Sequence, residues 1–436
     1  MTTLAQVKLW GSTIGAVALD EHSAATGFEY DEDFANSGIQ VAPLMMPLPG
    51  GHNKVFRFPA LAQETFHGLP GLLADALPDR FGHALIDAWL ASQGRAPDTF
   101  NAVERLCYVG SRAMGALEFA PVTGPRARAS QQVDIAQLVG MASKVLAQRQ
   151  SFTTHLNDDD PEGLRDILRV GTSAGGARAK AVIAWHPESG DVRSGQLDVD
   201  AGYQHWLLKF DGVSANRDKE LTDPQGYGQI EYAYYLMAVD AGITMSECRL
   251  LTEGSRHHFM TRRFDRTETG DKLHMQSLCA MAHFDYNAAG AYSYEQALQV
   301  MQQLGLPQAD IEQQFRRMVF NIVTRNQDDH TKNIAFLMDR HGQWSLSPAY
   351  DLTFSCNPEG DWTSRHQMSL NGRRDHFTQA DFNACARLAT LKRGRAKAII
   401  DDVSAVARRW PEYANKATVA ARWREHIQPL LRLDIL

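Results

Sequence analysis

Two short polar stretches hold the residues whose types and spacing suggest phosphoryl transfer. The first is the octet 326–333, and the second begins at Tyr350-Asp351. Asp328 could accept the proton of an attacking hydroxyl group, whereas Asn333 and Asp351 could bind the Mg²⁺ ion that bridges the phosphates of ATP. An Asp followed five residues later by an Asn arises by chance in any long chain, so the pair gains weight only from its surroundings.

The pattern on either side of the octet predicts elements that could hold it in place. Apolar residues at helical spacing predict a helix over 311–326, and two apolar runs around the turn 339–342 predict a β-hairpin. A loop held between a buried helix and a sheet keeps charged groups at fixed geometry, as proton transfer and metal binding require. His330 and Lys332 join Asp328 in the predicted catalytic set. The alternative is a solvated loop in which His330 and Lys332 point into water.

Length and composition are those of an ordinary globular protein. The 436 residues exceed what one compact core usually holds, so two or three domains are expected. The apolar fraction of 44% and the charged fraction of 22% are typical of globular domains. A net charge of −7 argues against attraction of the whole surface to nucleic acid.

Three features predict a cytoplasmic protein without membrane attachment. The five cysteines are scattered and lack the spacing of metal ligands, which suggests a reducing compartment. No apolar run approaches the roughly 20 residues of a membrane span. The first ten residues lack the basic start and apolar core of a signal peptide.

The best domain boundary lies in the stretch 121–128, which is rich in proline, glycine and charge. Before it, short strands and a helix capped by Asp79 predict a small α+β domain. The predicted organisation is therefore an N-terminal subdomain over 1–125 and a larger domain over 126–436.

The glycine-rich segment 171–180 could bind a phosphate. Glycines let the backbone approach an anion, and successive N–H groups can surround it. The segment is not a Walker loop, because Lys180 is not followed by Ser or Thr and a strand follows it. It fits the loop that kinases place over ATP, with Gly175, Gly176, Ala177 and Lys180 as the contacts. A hairpin turn that binds nothing is an equally good interpretation.

A single lysine, Lys209, lies within the apolar strand predicted over 205–210. A buried ammonium group without a partner is costly, so an anionic partner is expected. The phosphates of ATP are one candidate, and Glu231, at the start of an aromatic-rich helix, is another. A lysine on an edge strand could instead reach solvent. The strand that follows, near 258–266, leads into a polar connector of the kind whose backbone binds adenine in two-lobed kinases.

The order of these parts is that of a protein kinase: glycine-rich loop, strand lysine, helix glutamate, connector, polar loop, hairpin and aspartate. The chain also resembles a known family, the HipA toxins of type II bacterial toxin–antitoxin modules. The resemblance covers nearly the whole chain. The segments that carry it are 69–79, 109–110, 114–117, 171–180, 206–210, 263–266, 326–333 and 350–351.

The resemblance implies an α+β fold with a two-lobed protein-kinase-like core, a small N-terminal α+β subdomain and a helical C-terminal lobe. The two lobes would cover about 150–265 and about 266–436. The activity would be that of a serine/threonine protein kinase using ATP and Mg²⁺. By the same resemblance, Asp328 would be the catalytic base, Asn333 and Asp351 the Mg²⁺ ligands, and Lys209 a contact to the ATP phosphates.

The resemblance also assigns the backbone near Arg262 and Phe264 to adenine binding. Arg262 replaces an acidic residue of the best-known member, which leaves backbone recognition intact but puts a side-chain contact in doubt. Gly175-Gly176 replaces an Ala-Gly pair, which predicts a more mobile loop. Family members autophosphorylate a serine of this loop, which ejects the loop and inactivates the enzyme; the matching residue is Ser173.

The partners implied by the resemblance are an aminoacyl-tRNA synthetase as substrate and a small helix-turn-helix antitoxin of the HipB type. DNA would be reached only indirectly, through the antitoxin. Two other functions stay open: a co-repressor whose catalysis is dispensable, and a kinase-fold phosphotransferase acting on a small molecule. The basic residues of the helical region 378–430 are either solvated helix faces or a patch that meets the backbone of operator DNA.

Overall fold

A computed structural model describes residues 2–20, 25–50, 54–124, 132–147, 167–168, 170–171, 178–196, 201–213, 217–218, 221–222 and 225–435. The architecture is a mixed α/β one with several sheets and helices. The chain divides into two compact units. The first comprises Met1–Gln225, Leu251–Gln276 and Met338–Gly342, and the second comprises Gly226–Leu250, Ser277–Leu337 and Gln343–Leu436. The predicted boundary at residue 125 falls outside the described residues and stays a prediction.

The N-terminal part of the first unit is an antiparallel sheet with short helices. Its elements are β1 (Leu4–Leu9), β2 (Ser12–Leu19), β3 (Thr26–Tyr30), α1 (Glu32–Ala35), β4 (Val55–Arg57), α2 (Gln63–Phe66), α3 (Gly71–Ala74), α4 (Arg80–Ser92), α5 (Ala102–Val109) and β5 (Leu117–Ala120). The strand order is β4-β3-β2-β1-β5. Trp10 (φ 51°) and Gly11 (φ 84°) form the β1–β2 turn, whose positive φ angles suit a two-residue hairpin. The predicted cap of α4 is confirmed, since Asp79 accepts the N–H of Gly82 at 2.7 Å.

A second sheet forms the core of the remainder of the first unit. The elements here are α6 (Ile135–Ala147), β6 (Lys180–Trp185), β7 (Val192–Ser194), β8 (Gln204–Lys209), β9 (Arg217–Asp218), β10 (Leu221–Thr222), β11 (Cys248–Glu253), β12 (Arg256–Arg262) and β13 (His274–Ser277). The sheet order is β11-β12-β8-β6-β7. Buried residues of α4, α6 and the sheet form one apolar core, including Leu85, Leu138, Ile183, Leu208 and Met260.

The second unit is mainly helical. Its elements are α7 (Tyr227–Asp240), α8 (Leu278–Ala282), α9 (Tyr294–Gln303), α10 (Gln308–Thr324), β14 (Ala335–Met338), β15 (Trp344–Leu346), α11 (Gln379–Leu388), α12 (Arg395–Arg408), α13 (Trp410–Lys416) and α14 (Ala421–Ile427). Helix α10 packs against α12, and α7 packs against α13. Short 3-10 helices cover Thr331–Asn333 and Gln428–Leu430.

The elements predicted next to the octet are confirmed, with shifted ends. Helix α10 carries the predicted apolar stripe on its buried side, but it ends at Thr324, because Arg325 adopts the left-handed conformation (φ 61°). Strands β14 and β15 form the predicted hairpin. The aromatic-rich helix α7 begins at Tyr227 instead of Glu231, since Gly226, at φ 100°, turns the chain into the helix a full turn earlier.

No helix within the described residues combines the length and the apolar character that crossing a membrane requires.

Candidate functional site

The octet 326–333 is anchored at both ends within the second unit. Helix α10 leads into it with Phe315 and Val319 fully buried. At the far end, the main-chain oxygen of Ile334 accepts a hydrogen bond from the N–H of Leu278 at 2.7 Å. This anchoring holds the backbone of the loop against packed elements, so its polar side chains keep defined positions.

The structure brings Asp328 and Asn333 together. The side-chain Nδ2 of Asn333 donates to the main-chain oxygen of Asp328 at 2.9 Å. The same oxygen accepts the N–H of His330 at 3.0 Å, and the oxygen of His330 accepts the N–H of Asn333 at 2.9 Å. Because Nδ2 is used in this hydrogen bond, Oδ1 is the atom through which Asn333 can bind a cation.

The carboxylate of Asp328 is oriented and reachable. Its side chain is 27% exposed. The indole Nε1 of Trp362 donates to Oδ1 at 2.6 Å, and Nε2 of His330 lies 4.0 Å from the same oxygen. A carboxylate held in this way at the surface can accept a proton from a hydroxyl group placed against it.

Asp351 follows β15 and is held beside the octet through its backbone. Its φ angle of 53° lies in the left-handed region, which costs about 1 kcal/mol or more for a residue other than glycine. The main-chain oxygen of Asp351 accepts Nδ2 of Asn326 at 3.3 Å. Asn326 also forms a parallel bridge with Ser355. The octet and the segment 351–355 therefore lie side by side.

The donor atoms of Asn333 and Asp351 suit Mg²⁺. Both residues offer oxygen, and Mg²⁺ in nucleotide sites is usually bound by one or two carboxylates together with phosphates and water. Among the described residues no group of three or more His, Cys, Asp or Glu side chains could hold a metal ion. The two oxygen donors of Asn333 and Asp351 match a site with few protein ligands that a nucleotide completes.

The neighbouring residue, Asp329, is the structural anchor of the loop. Its side chain is 1% exposed. It accepts hydrogen bonds from the hydroxyl of Tyr294 (2.5 Å), Nδ1 of His366 (2.8 Å) and the N–H of Gln367 (2.7 Å). Burial raises the pKa of the Asp329 carboxyl, but the hydrogen bonds from His366, Tyr294 and Gln367 outweigh burial and lower the pKa overall. The octet thus contains one outward carboxylate and, next to it, one buried one.

His330 and Lys332 lie against an aromatic ring. The ring of His330 is 5.4 Å from that of Tyr286, and Nζ of Lys332 is 5.1 Å from the centre of the same ring. The side chain of His330 is 16% exposed. The main-chain oxygen of Lys332 accepts the hydroxyl of Tyr350 at 2.6 Å, which ties the octet to the residue preceding Asp351.

Two lysines predicted to contact ATP lie on neighbouring strands of the first unit. Lys180 begins β6 and is paired in register with Lys209, at the end of β8. Nζ of Lys209 lies 5.6 Å from the ring centre of Phe259, and the residue is half-buried. Lys180 is buried, and its Nζ lies 3.4 Å from Oδ2 of Asp79, itself 3% exposed.

Most of the other residues predicted to contact the nucleotide lie in the glycine-rich segment, which the structure describes only in part. Gly175, Gly176, Ala177 and the predicted phosphorylation site Ser173 lie outside the described residues. Glu231, the other candidate partner of Lys209, is buried in the second turn of α7.

The connector after β12 contains a buried charge cluster within the first unit. Asp265 is fully buried and accepts Nε and Nη2 of Arg263 (2.9 and 2.7 Å), Nη1 of Arg266 (2.9 Å) and the N–H of Gly115 (2.7 Å). This cluster joins the connector to the N-terminal segment of the unit. Arg262, in contrast, pairs with the exposed Glu268.

Three residues that contact the octet from one segment were not predicted: Trp362, His366 and Gln367. Trp362 bonds to Asp328, and the other two bond to Asp329. A tryptophan and a histidine in an otherwise polar stretch are the only signals in the sequence, and neither indicates a partner more than thirty residues away.

Two family models match the chain. One describes the HipA N-terminal domain and matches residues 5–120. The other describes the HipA-like C-terminal domain and matches residues 172–410. No curated protein sequence matches the chain significantly.

Among solved structures, the chain is similar to HipA of Shewanella oneidensis MR-1, solved in a complex with HipB and its operator DNA. The two chains are 16% identical, the match covers 98% of this chain and 95% of that one, and the TM-score is 0.66. The proinflammatory kinase CtkA of Helicobacter pylori matches with 12% identity over 51% of this chain and 87% of that one, with a TM-score of 0.34. The first similarity extends over the fold of nearly the whole chain, whereas the second is too low to carry an argument.

Proposed function

The chain belongs to the HipA family, and on that premise we propose that it is a serine/threonine protein kinase of the HipA toxin type. The proposed enzyme has a two-lobed kinase-like core and requires ATP and Mg²⁺. The observation that carries the proposal is the hydrogen bond from Asn333 to the main-chain oxygen of Asp328. It fixes the side chain of Asn333 against the backbone of Asp328, so a carboxylate and an amide of the two predicted kinds lie on one anchored loop. Phosphoryl transfer depends mainly on such positioning.

In the proposed reaction, Asp328 accepts a hydrogen bond from the hydroxyl group of a serine or threonine and orients it towards ATP. The hydroxyl oxygen forms a bond to the γ-phosphorus, the bond from that phosphorus to the β–γ bridging oxygen breaks, and the hydroxyl proton passes to Asp328. The hydrogen bond from Trp362 holds the carboxylate in one orientation during this step. His330, whose Nε2 is near the same oxygen, supports that orientation.

Asn333 and Asp351 are the proposed metal ligands. Mg²⁺, when bound there, neutralises charge on the phosphates. Nδ2 of Asn326 donates to the main-chain oxygen of Asp351, and Asn326 bridges to Ser355, so the backbone of the second proposed ligand is held beside the octet. Lys332, whose Nζ lies over the ring of Tyr286, is proposed to supply a positive charge to this site.

On the nucleotide side, Lys209 is the proposed contact to the phosphates, and the glycine-rich segment with Gly175, Gly176 and Ala177 the proposed loop over them. Lys180, at the end of the same segment, is a further candidate for contact with the phosphates. The backbone near Arg262 and Phe264 is proposed to bind adenine. Autophosphorylation of Ser173 is proposed to switch the enzyme off.

The proposed partners are a HipB-like antitoxin and a protein substrate, for which an aminoacyl-tRNA synthetase is the candidate. Phosphorylation of that substrate would restrain growth in the cytoplasm. The similarity in fold to a HipA solved with HipB and operator DNA supports the antitoxin. DNA would then be contacted through the antitoxin.

The test is incubation of the purified protein with labelled ATP and Mg²⁺, followed by mass spectrometry of the labelled peptides. We expect label on Ser173 in the wild type and none in Asp328→Asn. Asp361→Asn removes an exposed carboxylate from the neighbouring segment and should label like the wild type. A folded wild type that transfers no phosphate to itself or to any cellular protein contradicts the proposal. Cellular phenotypes that survive Asp328→Asn would instead favour the co-repressor function.

A further inference from the structure

The C-terminal segment (428–435) is attached to the end of helix α10, where the octet begins. The N–H of Arg432 donates to the main-chain oxygen of Val323 at 2.9 Å, and Nη1 of Arg432 donates to that of Ile322 at 3.2 Å. Nε of Arg325 donates to the oxygen of Leu430 at 2.7 Å. The last carbonyl groups of a helix lack partners within the helix, and here the C-terminal segment supplies them.

The guanidinium group of Arg432 also reaches a buried histidine. Its Nη1 lies 2.8 Å from Nε2 of His366, which is fully buried. Its Nη2 pairs with the carboxylate of Asp375. Burial lowers the pKa of Arg432 to about 10, so the group stays charged at neutral pH and can only donate hydrogen bonds.

This contact determines the tautomer of His366. Since Arg432 donates, Nε2 of His366 has to accept, and the ring proton is therefore on Nδ1. An imidazolium ion would direct a second N–H at the guanidinium group and place two positive charges in contact. The Nδ1–H group then donates to Oδ2 of Asp329 at 2.8 Å.

We propose that Arg432 and His366 are positioning residues of the catalytic loop: Arg432 imposes the Nδ1–H tautomer on His366, and this tautomer holds Asp329 and hence the backbone that carries Asp328. The role in catalysis rests on the proposed function. The structural link from Arg432 through His366 to Asp329 does not rest on the proposed function, because each step is a hydrogen bond between buried or nearly buried groups.

The link from Arg432 to Asp329 connects two parts of the second unit that are distant in sequence. The C-terminal segment, far in sequence from the octet, becomes part of the support of the catalytic loop. A ligand or partner that displaced this segment would free Nε2 of His366 and slow phosphoryl transfer without touching the nucleotide.

The first experiment reads the tautomer directly. The full-length protein is labelled with 15N-histidine, His366 is assigned by comparison with His366→Gln, and long-range 1H–15N spectra distinguish Nδ1–H from Nε2–H. We expect Nδ1–H in the wild type and a loss of this pure tautomer in Arg432→Met. The matched control is Arg408→Met, because Arg408 binds Leu433 and Asp434 of the same segment without reaching His366. An Nε2–H or doubly protonated His366 in the wild type overturns the proposal.

The second experiment reads catalysis with the same variants. We expect Arg432→Met to lower kcat by about tenfold or more, as removal of a residue that orients a functional group commonly does, with KM for ATP within about twofold of wild type. Arg432→Lys, which keeps a donor, should recover part of kcat, and Arg408→Met should keep it. An altered tautomer with unchanged kcat overturns the positioning role. If Arg432→Met does not fold, Arg432→Lys and Arg432→Gln decide by the same two measurements. A wild type without kinase activity refutes the proposed function alone, since the spectra still decide the link.

Discussion

The indole N–H of Trp362 donates to Oδ1 of Asp328 at 2.6 Å. A hydrogen bond to a carboxylate is stronger than one between neutral groups and fixes the orientation of the acceptor. Trp362 itself is held in place, because its main-chain oxygen accepts Nε2 of Gln367. The proposed catalytic base is therefore oriented by a side chain from a segment that follows Asp351 in sequence.

Trp362→Phe tests this orientation, since it removes the donor and keeps most of the ring. We expect kcat of the phosphorylation reaction to fall by about tenfold, corresponding to roughly 1.4 kcal/mol of lost transition-state stabilisation, and KM for ATP to stay nearly constant. The same substitution at Trp344, in the hairpin, is the control. Initial rates with labelled ATP provide the measurement, and a Trp362→Phe enzyme with the wild-type kcat would show that the contact is dispensable.

Asn333→Asp separates the two roles proposed for Asn333. The variant keeps an oxygen ligand but loses the Nδ2 donor, so a carboxylate oxygen would face the main-chain oxygen of Asp328 in place of the present 2.9 Å hydrogen bond. We expect a loss of kcat on the order of 100-fold, because small misplacements of reacting groups are costly. Rates measured over a series of Mg²⁺ concentrations test it. Recovery of the full rate at high Mg²⁺ would mean that Asn333 acts only as a ligand.

The parts of this site that depend on residues near one another in the sequence can be predicted from the sequence, and those that depend on residues far apart cannot. Helix α10 and the hairpin were predictable because periodicity is a local property. The end of α10 differs from the prediction where Arg325 adopts positive φ, and the start of α7 differs where Gly226 does. The contact of Asn333 with Asp328 lies within one loop, so the two residues are close because they are near in sequence. The contacts of Trp362, His366 and Arg432 could not, since they join residues tens of positions apart and leave no pattern in a single sequence.

The same limit applies to charge pairing. An anionic partner was predicted for Lys209, with the phosphates of ATP and Glu231 as candidates, and none was predicted for Lys180. The ion pair of Lys180 with Asp79 joins the start of β6 to the cap of α4 across about a hundred residues. The cluster around Asp265 likewise binds Gly115, 150 residues away. Only the packing of the first unit decides such pairs.

Asp265→Asn should strongly destabilise the first unit. The variant leaves the side chains of Arg263 and Arg266, 2% and 9% exposed, without a charged partner. Removing one member of a buried ion pair costs about 3–5 kcal/mol. Urea unfolding at pH 7 provides the measurement. Asp271→Asn, at a carboxylate 57% exposed, should change the free energy of unfolding by about 0.5 kcal/mol or less.

The same carboxylate predicts a pH dependence of stability. Burial raises the pKa of Asp265, but Arg263 and Arg266 outweigh burial and hold the pKa well below its usual range. A carboxyl whose pKa is depressed in the folded state stabilises that state above the unfolded pKa of about 3.9, and the stabilisation is lost as the pH falls through the folded pKa. The free energy of unfolding should therefore fall more steeply below about pH 4 in the wild type than in Asp265→Asn. Equal slopes would show that the pKa of Asp265 is not depressed in the folded protein.

Lys180 and Lys209 are register partners on adjacent strands. When each is changed to methionine, we expect Lys180→Met to lower stability and Lys209→Met to lower the affinity for ATP. Lys180→Met leaves Asp79 buried without its ion-pair partner, so the free energy of unfolding should fall by about 3 kcal/mol or more. Lys209 is only half-buried and is the proposed phosphate contact, so Lys209→Met should raise KM for ATP by about tenfold, with a loss of about 1 kcal/mol or less in stability. Chemical unfolding and ATP titration of both variants give the comparison. If Lys180→Met keeps its stability and loses ATP affinity, the lysine that binds the nucleotide is Lys180, and its contact with Asp79 contributes little to the fold.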